Sequence, residues 1–248
     1  MAQTLTEHLL SLQTTPSYTA ATRHTFLTQA GNGTLPLPRL ALWLSQDRIY
    51  AAHAYPRFIG SLISRIPFQE IDAIAGPKER RNQDILKLLV RCLDNIVHEV
   101  AFFWDTADKS GLNMEGWIER KGTKDYTAEM SRVGSSSSLE DGLVFLWAME
   151  RVYFDAWCYV KHLQYVTPKS NNEENSCIPA VRKFATNWTT PEFEAFVTAL
   201  ADLVDDFGIS PGSDAWSRAE AIWSRVVELE VGFWPEEGEE IQMRKKKL

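Results

Sequence analysis

Apolar residues recur along this chain with the spacing of helices, and no segment alternates in the manner of a half-buried strand. A Gly-rich turn, Gly31-Asn32-Gly33, and two prolines, Pro36 and Pro38, precede the first long periodic stretch. Its stripe reads Leu40, Trp43, Leu44, Tyr50, Ala51, Ala54 and Phe58 and ends near Pro67. A second stripe runs Ile85, Leu88, Leu89, Cys92, Ile96, Val100, Phe103, with 105–111 as the turn after it. A third starts after the Ser135–Ser138 run, which is expected to form a loop and N-cap, and carries Leu139, Leu143, Leu146, Tyr153 and Trp157. The polar, Asn-rich Thr167–Ser176 is expected to be a disordered loop. Two more helices are predicted, one from Thr190-Pro191 and one from near Ser213 with Ile222, Trp223, Val226, Val227, Phe233 and Trp234.

No internal repeat is present, and the intervals between stripes are too short to stand as separate domains. The pattern predicts an all-α fold: a single bundle-like domain over 1–234, followed by a charged, solvated tail over 235–248.

Three acids break the apolar stripes. Asp47 sits three residues from both Leu44 and Tyr50, Glu150 four from Leu146 and three from Tyr153, and Glu230 three from both Val227 and Phe233. Helical spacing aims each at the interior. A bare buried carboxylate is costly, so each requires a partner or a shifted pKa. If the three converge, they make a polar pocket in an apolar surround, suited to a flat, nitrogen-rich ligand with aromatic rings over its faces. The competing reading is three separate structural ion pairs with Arg or Lys.

A carboxylate-bridged di-iron centre would need Glu-x-x-His, and no Glu here has His three residues on; the five histidines show no such pairing, so no metal site and no cofactor are expected. A nucleophilic cysteine is the other chemistry to weigh, since Cys158 follows Glu150 by two turns and Cys92 lies on the second stripe, but buried cysteines are usually inert. No phosphate-binding Gly loop or nucleophile elbow appears.

Composition narrows the partners. The 248 residues include nine Trp, twelve Phe and seven Tyr and carry a formal net charge of −7. An acidic chain is poorly suited to nucleic acid or to anionic lipid. No apolar run approaches the roughly 20 residues that cross a bilayer, and the first residues lack the layout of a signal peptide. Three widely spaced cysteines suggest neither a disulfide framework nor a zinc site, so a cytoplasmic protein is expected.

Five segments in order resemble the TenA family. Trp43-Leu44-Ser45-Gln46-Asp47-Arg48-Ile49-Tyr50 is similar to its Gln-Asp-x-x-Tyr segment, Asp125–Met130 to its Tyr-Thr-x-x-Met segment, and Trp147–Tyr153 to the Trp-Ala-Ile-Glu-x-Val-Tyr of plant members. Val227–Trp234 is similar to the closing Glu-x-x-Phe-Trp helix, and Trp188, five residues before Phe193, falls where the family has a pocket-closing aromatic. The resemblance spans Phe26 to Trp234. It implies a heme-oxygenase-like helical bundle, assembled as a homo-oligomer (dimer or tetramer). It also implies thiamin salvage: hydrolysis of 4-amino-5-aminomethyl-2-methylpyrimidine, or its N-formyl derivative, to the hydroxymethylpyrimidine.

By the same resemblance, Asp47 holds the ring amino group and a ring nitrogen, and Tyr50, Tyr126, Trp188 and Phe233 line and stack on the ring. Glu230 donates a proton to the leaving amine. Met149 stands where one subgroup has its cysteine nucleophile, and Glu150 aligns with the glutamate of the cysteine-less branch. That departure favours the smaller aminopyrimidines over intact thiamin, with Glu150 and Glu230 sharing acid and base duties. A pyrimidine-binding or scaffold protein without catalysis is the alternative.

Overall fold

The computed structural model describes residues 3–167 and 176–245, so the loop expected over Thr167–Ser176 lies, apart from its ends, outside the described residues. Among these there are twelve α-helices and no strand; a lone bridge joins Trp117 and Arg244. The helices are α1 (Leu5–Ser11), α2 (Tyr18–Thr22), α3 (Thr25–Asn32), α4 (Leu37–Ile49), α5 (Tyr55–Ile63), α6 (Pro77–Lys109), α7 (Lys121–Ser136), α8 (Leu139–Val166), α9 (Ile178–Asn187), α10 (Pro191–Asp205), α11 (Asp214–Phe233) and α12 (Glu239–Gln242).

The predicted helix starts rest on hydroxyl caps. Ser138, Thr190 and Ser213 each accept a hydrogen bond from the backbone N–H three residues on, at 3.1, 3.1 and 3.2 Å, satisfying donors that the first turn leaves open. Helix α8 is apolar almost all round its first half, from Leu139 to Met149, and occupies the centre, with α11, α3 and α10 packed on it. Helix α4 is buried from Arg39 to Asp47. Between them Trp43, Trp157, Trp188, Trp234 and Phe184 form one aromatic cluster with ring centroids 4.8–6.4 Å apart.

Several boundaries depart from the sequence reading. Gly31 and Asn32 belong to α3, and only Gly33, at φ 74°, makes the left-handed stop. Helix α6 does not turn at residue 105; Thr106 and Ala107 continue its buried face, and Lys109 pairs with Asp105 at 2.6 Å. Ser135 and Ser136 close α7 rather than forming a loop. Helix α7 escaped notice because its buried stripe, Thr123, Tyr126, Met130 and Val133, is thin within a polar sequence.

The first long stripe is also not one regular helix. Residues Tyr50–Ala54 form a π-helical turn between α4 and α5, in which the Tyr55 N–H bonds to the Tyr50 carbonyl. Pro56, second in α5, has no N–H for a regular bond to residue 52 and its ring would crowd that carbonyl. The wide turn removes the conflict and sits beside the site described below.

The tail is not simply solvated. Arg39 holds Glu240 in a paired bond at 2.9 Å to each oxygen, and Arg120 binds Glu239 at 2.6 Å. Both arginines are buried, at 3% and 4% exposure.

Helices α7 and α11 cross glycine to glycine. A Cβ on Gly122 would overlap the backbone carbonyl of Gly232. This closeness lets Tyr126, one turn after the crossing, reach Glu230, just before it. Gly122→Ala is expected to cost about 1–3 kcal/mol by overpacking, lowering the melting temperature by roughly 2–4 °C per kcal/mol. Gly60→Ala, on an open helical face, should instead leave the melting temperature unchanged or raise it. Equal melting points for the two variants would contradict the crossing.

Candidate functional site

The acid on each stripe is met by an aromatic donor rather than by a base. The Tyr153 hydroxyl donates to Asp47 Oδ2 at 3.0 Å, the Tyr55 hydroxyl to Glu150 Oε1 at 2.6 Å, and the Tyr126 hydroxyl to Glu230 Oε1 at 2.6 Å. A fourth acid, Glu99 of α6, accepts from the Trp188 indole N–H. No arginine or lysine contributes to the field at any of the four. The reading of three structural ion pairs is therefore set aside.

Desolvation dominates these groups. Burial pushes Asp47 up to about 7 against the opposing pull of the Tyr153 hydrogen bond. Glu150 rises to about 7 for the same reason, offset by Tyr55. Glu230 rises to about 8 through burial, opposed by the Tyr126 bond and reinforced by the charges of Asp47 and Glu150. Glu99 is driven well above the usual carboxylate range by burial and then by Asp47.

A cavity of about 350 Å³ opens between α4, the π turn, α6, α8 and the α9–α10 connection. Asp47, Glu99 and Glu150 face it, with Tyr50, Tyr153 and Trp188 among its walls. Of the residues singled out in the sequence, Glu230, Tyr126 and Phe233 do not reach the lining. They form the layer behind Tyr50, whose ring lies 5.2 Å from Tyr126 and 5.7 Å from Phe233. Glu230 is 2% exposed, and its Oε2 has no hydrogen-bond partner. An orphaned buried oxygen of this kind is costly unless protonated or met by a ligand. The expected convergence of three acids is thus two at the wall and one behind Tyr50, which feels Asp47, Glu150 and Glu230 alike.

Glu99 and Tyr55 are among the wall residues that sequence reasoning missed. Glu99 lies three residues after Ile96 and four before Phe103 on a stripe, the same signal that exposed the other acids. Tyr55 was hidden by the π turn, which shifts its register. Met149 also lines the cavity and takes a contact from the Tyr50 hydroxyl at 3.5 Å. Cys92 lines it too, but burial and the Glu150 charge push its thiol far up, which suppresses the thiolate a nucleophile needs. Cys158 is not among the lining residues, and burial lifts its thiol to about 11.

Carboxyls with raised pKa values bind more protons folded than unfolded. Their contribution to stability is whole below the unfolded values near 4–4.5 and is lost as pH rises through about 7–8. Each tenfold difference in proton affinity corresponds to about 1.4 kcal/mol. The ligand-free protein is expected to melt progressively lower from pH 5 to pH 8.5. The Glu230→Gln variant should show a shallower fall, and parallel profiles for the two would refute the assignment.

No family model matches the chain. It is 25% identical over 263 residues to a "Probable transcription factor" of Fusarium pseudograminearum, covering 94% of this chain and 52% of that protein, so it spans about half that relative's length. It is 20% identical over 218 residues to a "Probable bifunctional TENA-E protein" of Glycine max, covering 88% and 86% of the two chains. Among solved structures, a TenA homologue from Pyrococcus furiosus superposes with a TM-score of 0.72 at 21% identity, covering 93% of this chain and 98% of that one. A putative TenA-like thiaminase from Sulfolobus solfataricus superposes with a TM-score of 0.60 at 16% identity, covering 92% and 91%. The chain has the all-helical fold of the TenA homologues.

Proposed function

We propose that this chain is a thiamin-salvage hydrolase that converts 4-amino-5-aminomethyl-2-methylpyrimidine, or its N-formyl derivative, to the 5-hydroxymethylpyrimidine. The observation that carries this reading is the aromatic-walled cavity with Asp47, Glu99 and Glu150 on its surface and Glu230 behind Tyr50, each held by a tyrosine or tryptophan donor rather than by an arginine or lysine. Such a pocket complements a flat ring bearing amino groups. The names of the soybean relative and of the Sulfolobus thiaminase point the same way.

Asp47 holds the ring amino group and ring nitrogen, while Tyr50 and Trp188 cover the ring. Tyr126 and Phe233 back Tyr50 from behind. An amine on a pyrimidinylmethyl carbon is a poor leaving group until protonated. Glu230, held up at about 8, retains its proton at neutral pH and by the family resemblance is the acid, a role that requires the Tyr50 ring to move aside, since Glu230 stands behind it. Glu150, at about 7 on the cavity wall, orients or deprotonates the attacking water. The place of Met149 in the lining leaves no thiol at that position, which favours aminopyrimidines over intact thiamin. Assembly as a homo-oligomer and a cytoplasmic location belong to the same reading.

The name of the Fusarium relative suggests transcription, but a net charge of −7 supplies little attraction for phosphates. The decisive assay is ammonia release from the aminomethylpyrimidine by the purified protein. Turnover supports the hydrolase. Tight binding of the hydroxymethylpyrimidine without turnover of any aminopyrimidine would make the chain a binding module, and no binding would make it a scaffold.

A further inference from the structure

Glu99 has no part in the chemistry above, yet it faces the same cavity as Asp47 and is fixed in place by the indole N–H of Trp188. The Trp188 ring packs edge-on against Tyr153 with centroids 5.0 Å apart, and Tyr153 in turn donates to Asp47 at 3.0 Å. Tyr153 and Trp188 thus hold two carboxyls over one end of the cavity. Glu150 and Tyr50 also line the cavity and bring no positive charge, and Glu192, Arg91 and His98 are part of its lining as well. On Glu99's own helix, Arg91 is engaged with the Glu192 carbonyl at 3.1 Å and with the Phe196 ring, and His98 pairs with Asp94 at 3.7 Å.

We propose that Glu99 is a specificity-determining residue that, with Asp47, makes a two-carboxyl seat for the ring-protonated, cationic form of an aminopyrimidine. This rests on the reading of the cavity given above. Asp47 is buried and Glu99 half-buried beside it, and two such neighbouring carboxyls resist ionising together, so the empty seat keeps a shared proton. When a neutral aminopyrimidine enters, that proton moves from the carboxyl pair to the ring nitrogen. The ring becomes an amidinium-like cation and both carboxyls become anions, with total charge unchanged. Each charge then faces an opposite one in a dry site, where such hydrogen bonds are strongest. Neutral, isosteric rings that lack a basic nitrogen gain nothing from the second carboxyl and are rejected.

The test uses 4-amino-5-hydroxymethyl-2-methylpyrimidine, whose ultraviolet absorption distinguishes the neutral from the protonated ring. It is titrated at pH 7.5 into the wild type, Glu99→Gln and Trp188→Phe. The wild type is expected to bind it with the protonated spectrum. Glu99→Gln is expected to bind at least tenfold more weakly and with the neutral spectrum. Trp188→Phe, which keeps the ring but loses the N–H donor, should weaken binding and still protonate the ligand. A neutral spectrum in the wild type overturns the proposal, as does a protonated spectrum at undiminished affinity in Glu99→Gln. A neutral spectrum in Trp188→Phe would show Glu99 acting only through Trp188 and would overturn it too. Failure of the wild type to bind the probe is a different result, which removes the pyrimidine reading of the cavity itself.

Discussion

Glu150→Gln lowers kcat for ammonia release from the aminomethylpyrimidine by about 10²–10⁴-fold, the usual worth of one general acid–base group. The amide keeps the shape of the side chain and can still accept the Tyr55 hydrogen bond, which in the wild type is 2.6 Å long. What is lost is the ability to take a proton from water. KM should change little, because ring recognition lies with Asp47 and the stacked aromatics. The stability of the variant should equal or exceed that of the wild type at pH 8, since a carboxyl held at about 7 is a liability once it must ionise in a buried site. A steady-state comparison therefore separates chemistry from folding. Undiminished turnover would remove Glu150 from the mechanism, and a tenfold rise in KM at constant kcat would make it a binding group.

Arg120→Met is expected to cost about 3–5 kcal/mol, the range for breaking a buried ion pair from one side. Arg120 is 4% exposed, just ahead of α7, and its guanidinium closes the end of α11: it donates to the carbonyls of Gly232, Phe233 and Trp234 at 3.2, 2.6 and 3.2 Å and pairs with Glu239. Methionine fills the stem's volume but leaves those carbonyls and a carboxylate without their donor. At roughly 2–4 °C per kcal/mol, the melting temperature should fall by roughly 6–20 °C. Lys87→Ala, which removes an exposed pair with Asp84, should change it by less than a few degrees. Helix α11 carries Glu230 and Phe233 in its last turn, so affinity for the hydroxymethylpyrimidine should weaken alongside stability. A melting temperature unchanged in Arg120→Met would mean that water replaces the guanidinium at the helix end.

Those two residues mark how far the sequence could be read. Helices whose apolar stripes are dense, such as α8 and α11, announce themselves through spacing, and hydroxyl caps at Ser138, Thr190 and Ser213 fix where they start. Asp47, Glu150 and Glu230 stood out because an acid on a dense apolar stripe has no cheap explanation. Glu99 carried the same signal on a stripe interrupted by many exposed charges, where it reads as one polar residue among several. The role of Arg120 was not legible, because its partners are backbone carbonyls and a glutamate in what reads as a solvated run, and nothing local links residue 120 to residue 239. The position of Glu230 behind Tyr50 depends on the Gly122–Gly232 crossing, a tertiary fact that no periodicity reports.

The π turn at Tyr50–Ala54 has a consequence for how the fold tolerates change. In a regular helix, residues 50 and 55 would point about 140° apart at roughly 100° per residue, and only one tyrosine could serve the cavity. The extra residue in the wide turn lets a single rod present both, while the segment beyond it keeps its own packing face toward Phe145 through Phe58. Deleting Ala52 would set Tyr50 and Tyr55 four positions apart, about 40° at the same 100° per residue, so both would keep the cavity face, but the regular turn would drive Pro56 against the carbonyl one turn earlier. The extra residue thus serves Pro56, and a rod shortened by one residue would keep both hydroxyls on the pocket only if residue 56 were no longer proline.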